Sequence, residues 1–254
     1  MSVDTPAPEA HPPRSVASKV LDILGAFETA RPSLSLTEIA QACDLPLPTA
    51  HRLVGELVTG GALLRLPNGN YSVSLLLWTI GENSLRRARG AARLHLQDLF
   101  ALTQETAQMA VRAGDDALYL ERVYSSKRVP RASRVGGRLP LHLTAVGKVL
   151  LAYESPTFIE HYLGLELEGR TRHSRTDAEQ LRVELAKAKE RGFATTQEEV
   201  RLGSCSIAVP VTPRHGLMPA AVGLVMNVTQ ASSMRTHLPA LRGVAEQLGN
   251  LTEL

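Results

Sequence analysis

Apolar residues recur at helical spacing three times in the first sixty positions. In "SVASKVLDILGAFETA", residues 15–30, Val16, Val20, Ile23, Leu24 and Phe27 fall on one face. In "SLTEIAQACD" the inner face is Leu36, Ile39, Ala40 and Cys43, preceded by Ser35 and Glu38 in the Ser-x-x-Glu pattern of a helix start. A tight turn, "CDLP", leads into a third run, where Leu47, Ala50, Leu53, Val54, Leu57 and Val58 share one apolar arc. Pro46 and Pro48 lie at its start, where a missing N–H does little harm. Its other side is lean: Pro48, Thr49, His51, Arg52, Gly55 and Glu56. Alternation then replaces the helical period, and "TGGALLRLPNGNYSV" predicts a hairpin turning at Asn68-Gly69.

Three helices with a short turn between the second and third, then a small hairpin, describe a winged helix-turn-helix. Such a module places the N-terminal residues of its third helix against base edges in the major groove. Thr49, His51 and Arg52 could bond phosphates or bases, Gly55 removes bulk, and Arg65 and Asn68 would let the wing reach the backbone. A three-helix domain that binds another protein is the other reading of the same pattern.

From Leu75 to Thr106 the chain is almost free of breakers apart from Gly81 and Gly90, which predicts one kinked helix or two in series. Arg86, Arg87, Arg89 and Arg93 cluster on it. They read either as donors that help hold DNA or as a solvated face. Beyond it, strands and helices alternate. A hairpin is expected around Gly114-Asp115-Asp116. A helix is expected to be capped by Thr176 and ended by Gly192. "CSIAVPV" and "AAVGLVMNV" read as strands, and "HLPALRGVAEQLGNL" as a closing helix. This order points to an α+β domain with a largely antiparallel sheet. The expected division is a disordered tail over 1–13, a winged helix-turn-helix over 14–75, linker and dimerisation helices over 76–106, and a ligand-binding domain over 107–254.

The chain has 254 residues, enough for two domains, and 44% apolar content fits a packed interior. No run approaches the roughly 18 apolar residues of a membrane span. The Pro-rich start is expected to be no signal peptide, and the expectation is a cytoplasmic protein with reduced Cys43 and Cys205. The net charge of +3 is uneven. Residues 1–75 carry five basic and seven acidic side chains, residues 76–143 eleven and six, and residues 144–254 twelve of each. The segment assigned to DNA is therefore not itself basic, so a few well-placed donors, doubled by dimerisation, must do the binding.

The order of motifs resembles the IclR family of bacterial transcription regulators over about residues 14 to 250. The matching pieces include "SVASKVLDILGAF", "LSLTEIAQACDLPLPTAHRLVGELVTGGALLR", "GNYSV", "GGRLPLHLTAVGKVLLA", "RGFATTQEEVRLGSCSIAVPV" and "AAVGLVMNV". The resemblance implies a GAF-like effector domain behind the linker and a homodimer or dimer of dimers on a double-stranded operator. It also implies control by a small organic or aromatic acid. Carried over by position, the recognition-helix residues are Leu47, Pro48, Thr49, His51 and Arg52, and Ser35, Arg65 and Asn68 complete the expected DNA-binding set. Leu47 and Pro48 stand where polar residues are usual, which removes potential phosphate donors. The implied effector set is Leu143, Thr144, Ala145, Val146 and Gly147 at a helix start, Thr196, Cys205 and Ser206 on the middle strands, and Gly223 and Val225 on the late strand. Thr196 replaces an acid and Ser206 takes the place of a cysteine, which favours a larger or more apolar ligand.

Other chemistry is weaker. Gly147-Lys148 lacks the remaining residues of a phosphate loop, since His142 and Val149 stand where glycine and Ser or Thr are needed. Lys148 is therefore expected on a helix flank. Cys205 could serve as a nucleophile with His142, His173 or His215 as base, but a buried small residue is the simpler reading. Glu198 and Glu199, taken as strand neighbours, would point to opposite faces and form a solvated pair or a salt bridge to Arg201. No catalytic set, metal site or cofactor is expected. The alternative to a regulator is a small-molecule-binding enzyme that uses its first domain only to oligomerise.

Overall fold

Two patterns of burial build two units, divided between Ser84 and Leu85. The computed structural model describes residues 14–28, 31–124, 134–212 and 219–250, with the side chains of 82–89 and 91 excepted. The expected tail over 1–13 lies outside the described residues, as do the side chains of Arg86, Arg87 and Arg89.

In the first unit, helix α1 (Val16–Gly25) is capped by Ser15, whose hydroxyl accepts from the N–H of Ser18 at 3.1 Å. Helix α2 (Leu36–Ala42) starts with the expected reciprocal cap between Ser35 and Glu38. Helix α3 (Leu47–Thr59) follows after a turn in which Asp44 takes a left-handed φ of 50°. Ile23, Ile39, Ala50, Leu53, Val54 and Leu63 close one small core. Strands β1 (Leu63–Arg65) and β2 (Tyr71–Val73) pair antiparallel, with Tyr71 also bridging Leu34. Helix α4 (Leu75–Thr103) runs unbroken through both glycines.

The second unit is a six-stranded antiparallel sheet in the order β5-β4-β3-β8-β7-β6. Its strands are β3 (Thr106–Ala113), β4 (Asp116–Val123), β5 (Arg138–Pro140), β6 (Ala194–Gln197), β7 (Ser204–Val211) and β8 (Ala220–Asn227). The central strands are buried on both faces, so their sequences are near-continuous apolar runs. Met109, Ile207, Val209, Val222, Leu224 and Met226 face Leu96 and Leu99 of α4 and Leu241 and Leu248 of α8 (Leu238–Gly249). The alternate residues Ala110, Ala208 and Ala221 face α5 (Ala145–Ala152), α6 (Pro156–Leu163) and α7 (Ala178–Arg191). This is the α+β architecture expected from the alternation.

Two glycines permit close contacts around α5, Gly223 with the sheet beneath it and Gly147 with the turn that precedes it. A Cβ on Gly223 would lie 2.9 Å from the carbonyl of Ile207 and 3.1 Å from Val146 Cγ1. One on Gly147 would lie 2.3 Å from the carbonyl of Leu141. The cap of α7 differs from expectation. Asp177, not Thr176, accepts from the N–H of Gln180 at 2.7 Å, because its carboxylate stands one residue nearer the first turn. Gly192 ends that helix with a left-handed φ of 74°.

Candidate functional site

In the first unit the surface of interest is the outward side of α3. Ala50, Leu53 and Val54 are buried, which leaves Pro48, His51, Arg52, Gly55 and Glu56 exposed and Thr49 half-buried. Leu47 departs from the apolar arc and is 49% exposed, because it opens the helix and projects past its N-terminal end. Pro46 supplies no side-chain cap, Pro48 has no N–H, and the Thr49 N–H donates to the Pro46 carbonyl at 2.9 Å. Arg52 pairs with Glu56 across one turn at 2.5 Å, both in solvent. A Cβ on Gly55 would meet nothing within 4 Å.

The remaining candidates differ in availability. Arg65 and Asn68 are exposed on the hairpin, where Asn68 Oδ1 accepts from the N–H of Asn70 at 3.1 Å. Ser35 is committed locally. Its hydroxyl donates to Glu38 Oε2 at 2.9 Å and accepts from the Glu38 N–H at 3.2 Å, so a phosphate contact would compete with the cap. The backbone N–H of Ser35, its hydroxyl and then Arg31 hold the Glu38 carboxyl below its ordinary value.

In the second unit a cavity of about 40 Å³ lies between the sheet and the start of α5. Thr144, Thr196, Cys205, Ser206 and Val225 of the expected effector set line it. Leu143, Ala145, Val146, Gly147 and Gly223 do not. The first three are buried beside it, and the two glycines serve the close contacts around α5. Cys205 contributes from the strand while its side chain packs in the apolar core on the opposite face. Its Sγ donates to the carbonyl of Asn227 at 3.2 Å. Burial, with Glu105 nearby, pushes that thiol up to about 11, which leaves no thiolate at neutral pH to act as a nucleophile. Of the bases considered for it, His142 is held by the Tyr162 hydroxyl and the Glu168 carbonyl, and His215 lies outside the described residues.

The walls are more polar than the sequence suggested. Gln108, Tyr119 and Arg122 line the cavity, and burial pushes the Tyr119 hydroxyl up to about 12 against a hydrogen bond with Thr144. Tyr119 and Arg122 reach the same face through a bulge. Ala110 pairs with Tyr119 and Met109 with Glu121, so Leu120 is the extra residue that shifts the alternation. The buried Arg122 guanidinium also stacks 4.8 Å from the centre of the Tyr124 ring. At the other end the hydroxyls of Thr196 and Ser206 share a hydrogen bond of 2.5 Å. Three strand spacings, about 14 Å, separate β4 from β7 at the backbone. Polar residues inside otherwise apolar strands were the available signal for Gln108 and Arg122.

Two further expectations are corrected. Every residue of α5 is buried, and Lys148 is 2% exposed rather than on a solvated flank. Its Nζ donates to Glu199 at 2.8 and 3.0 Å and to Glu184 at 2.7 Å. Strand β6 stops at Gln197, and Glu198 has a left-handed φ of 56°, so strand alternation does not govern these two glutamates. Glu199 is buried against Lys148. Burial raises its carboxyl above the ordinary range, and Lys148 opposes that shift. Among the described residues no group of three His, Cys, Asp or Glu could hold a metal ion, and no helix is long and apolar enough to cross a membrane.

Comparison with known proteins bears on both regions. Residues 16–67 match the family model of the IclR helix-turn-helix domain, and residues 85–250 match that of the bacterial transcriptional regulator IclR C-terminal. A probable transcriptional regulator of Cupriavidus necator, SauR, is 32% identical over 238 residues, covering 91% of this chain and 93% of that protein. The HTH-type transcriptional regulator KdgR of Escherichia coli is 30% identical over 249 residues, covering 93% and 94%. Among solved structures, an IclR homolog from Microbacterium hydrocarbonoxydans complexed with 4-hydroxybenzoate aligns with a TM-score of 0.80 and 30% identity, covering 92% of this chain and 98% of that one.

Proposed function

The chain belongs to the IclR family of bacterial transcriptional regulators, and on that premise we propose how it reads DNA and what it senses. Helix α3 enters the major groove of a palindromic or direct-repeat operator. Thr49, His51 and Arg52 face base edges and phosphates, and Arg65 and Asn68 reach the backbone from the hairpin. The observation that carries this reading is the lean, outward side of α3, with His51 and Arg52 exposed. Residues 14–75 form the reading module, 76–106 the linker, and 107–254 the sensing domain.

The protein acts in the cytoplasm as a homodimer or dimer of dimers. Leu75, Trp78 and Ile80 on α4 are more than half exposed, as are Leu94 and Leu102. Exposed apolar residues of this size suit a surface covered by a second copy. The effector is a small organic acid whose carboxylate meets Arg122 and Gln108 and whose far end meets the Thr196 and Ser206 hydroxyls. An aromatic hydroxy acid of the kind bound by the Microbacterium relative has that form. Tighter binding of the acid to one conformer would shift the spacing of the two reading helices.

Gel shift with DNA from upstream of its own gene tests the reading module. Arg52→Ala or Thr49→Ala is expected to weaken binding about tenfold, the scale of one lost base contact. If both variants bind like the parent, α3 is not the reading helix. For the sensing domain, 4-hydroxybenzoate and a panel of aliphatic acids are screened by thermal shift, where a ligand of the native state raises Tm. Arg122→Leu is expected to abolish the shift.

A further inference from the structure

We infer that residues 196–203 form a gate across the effector cavity and that the Lys148–Glu199 pair is its latch. The inference rests on the cavity being the effector site, and it concerns how that site is reached. A space of about 40 Å³ holds no aromatic ring; benzene needs a cavity on the order of 150 Å³. An organic effector must therefore displace part of the lining to be seated.

One wall is thin. On the far side of residues 196–199 lies an open groove of about 650 Å³, with Arg172, His173, Arg175 and Gln180 on its rim. Thr196, Glu198 and Glu199 line both this groove and the cavity, so one thickness of chain separates the two spaces. The segment continues from β6, an edge of the sheet, so beyond Gln197 no ladder holds it on its outer side. Glu198 sits in a left-handed conformation that is costly for a residue with a Cβ. The Glu198 N–H donates to the Ser204 carbonyl at 2.7 Å and the Val228 N–H to the Gly203 carbonyl at 3.1 Å, and the remaining ties involve side chains. Thr171 Oγ1 donates to the Glu198 carbonyl at 2.6 Å, Ser174 Oγ donates to the Glu199 carbonyl at 2.7 Å, and the Gly203 N–H donates to Glu198 Oε1 at 2.7 Å.

The Lys148 pair is the innermost of these ties. Lys148 Nζ, Glu184 and Arg175 continue it outward to the groove, with Arg175 Nε 3.3 Å from Glu184 Oε1. Its neighbours Val149, Leu150 and Leu151 pack as apolar residues, so helix packing alone does not require a charge at Lys148. A buried ion pair gives up hydration when it forms and regains it when it parts. That exchange makes a charged tie far easier to open than apolar packing of the same area.

The test needs no effector, so it stands or falls separately from the sensing proposal. Ser206→Cys places a thiol inside the cavity, and the full chain is treated with iodoacetamide. Alkylation is followed by mass, with the parent's two buried cysteines as background. Lys148→Met/Glu199→Leu replaces the pair by apolar residues, an exchange that leaves other folds stable. The double change is expected to slow modification of the engineered thiol at least about tenfold, a rise of about 1.4 kcal/mol in opening free energy, with the background unchanged. An unchanged rate places the way in elsewhere and overturns the inference. So does a faster rate, or a parallel change in the background, which means a general effect on the fold. If the double variant does not fold by circular dichroism, Glu199→Gln decides. It removes the charge and keeps the shape, and faster modification supports the latch while an unchanged rate refutes it.

Discussion

The two faces of the central sheet are written in the same strands, one residue apart, and they do opposite things. Toward α4 and α8 the strands present Met109, Ile207, Val209, Val222, Leu224 and Met226, which pack together as one apolar layer. Toward α5 the same strands present Gln108, Ala110, Ser206, Ala208, Ala221, Gly223 and Val225. Small residues there admit the helix closely, and where its first turn begins the contact gives way to a polar cavity. One face is large and interchangeable chemistry that holds the fold. The other is small, specific and incompletely filled, which is what a site for a ligand requires.

Substitutions across this pair of faces should separate the roles. Ile207→Ala empties part of the apolar layer and is expected to cost about 2–5 kcal/mol in urea unfolding. Gly223→Ala does the reverse on the other face. Its new methyl meets the Ile207 carbonyl at 2.9 Å, Ala208 Cβ at 3.0 Å and Val146 Cγ1 at 3.1 Å, so an overpacking cost of about 1–3 kcal/mol is expected. Ser206→Ala, one residue from Ile207, removes one hydroxyl from a shared hydrogen bond with Thr196 and is expected to cost about 1 kcal/mol. If Ser206→Ala proved as damaging as Ile207→Ala, the cavity face would be core and the contrast would fail.

How much of this the sequence discloses follows from how local each feature is. The cap at Ser35 and Glu38, the turn at Asn68-Gly69 and the stop at Gly192 are settled by residues within a few positions, and each forms. The α+β class follows from alternation and spacing. The cavity does not, because its walls come from distant segments. Strand β3 pairs with β8, more than a hundred residues away, and the bulge at Leu120 that turns Arg122 toward α5 leaves no mark in the hydrophobic pattern. Lys148 and Glu199 are likewise 51 positions apart. Each looks like an ordinary surface charge until the fold joins them. Leu47 shows the limit of periodicity itself, since a residue at the mouth of a helix can lie in the apolar arc and still project past the core.

The mildest test of the comparison uses acid in place of substitution. The central strands carry no histidine, whereas the turn that leads into α5 buries His142. Its Nε2 faces the Glu168 carbonyl at 3.1 Å, so that nitrogen carries the proton, and Nδ1 accepts from the Tyr162 hydroxyl at 2.8 Å. Burial is the main cause that lowers its pKa below the ordinary 6.5; the charges of Lys148 and Arg170 add to it, and the Glu168 carbonyl opposes it. A base whose folded pKa is depressed favours its neutral form in the fold. The stability it contributes is therefore complete above the unfolded pKa of 6.5 and is lost as pH falls from there through the folded value. Thermal unfolding of the parent between pH 7.5 and pH 5 is expected to show Tm falling below about pH 6.5. His142→Gln, which keeps a donor and an acceptor but cannot charge, is expected to flatten that part of the curve. An identical slope in both proteins would place the acid sensitivity elsewhere and leave His142 without a part in it.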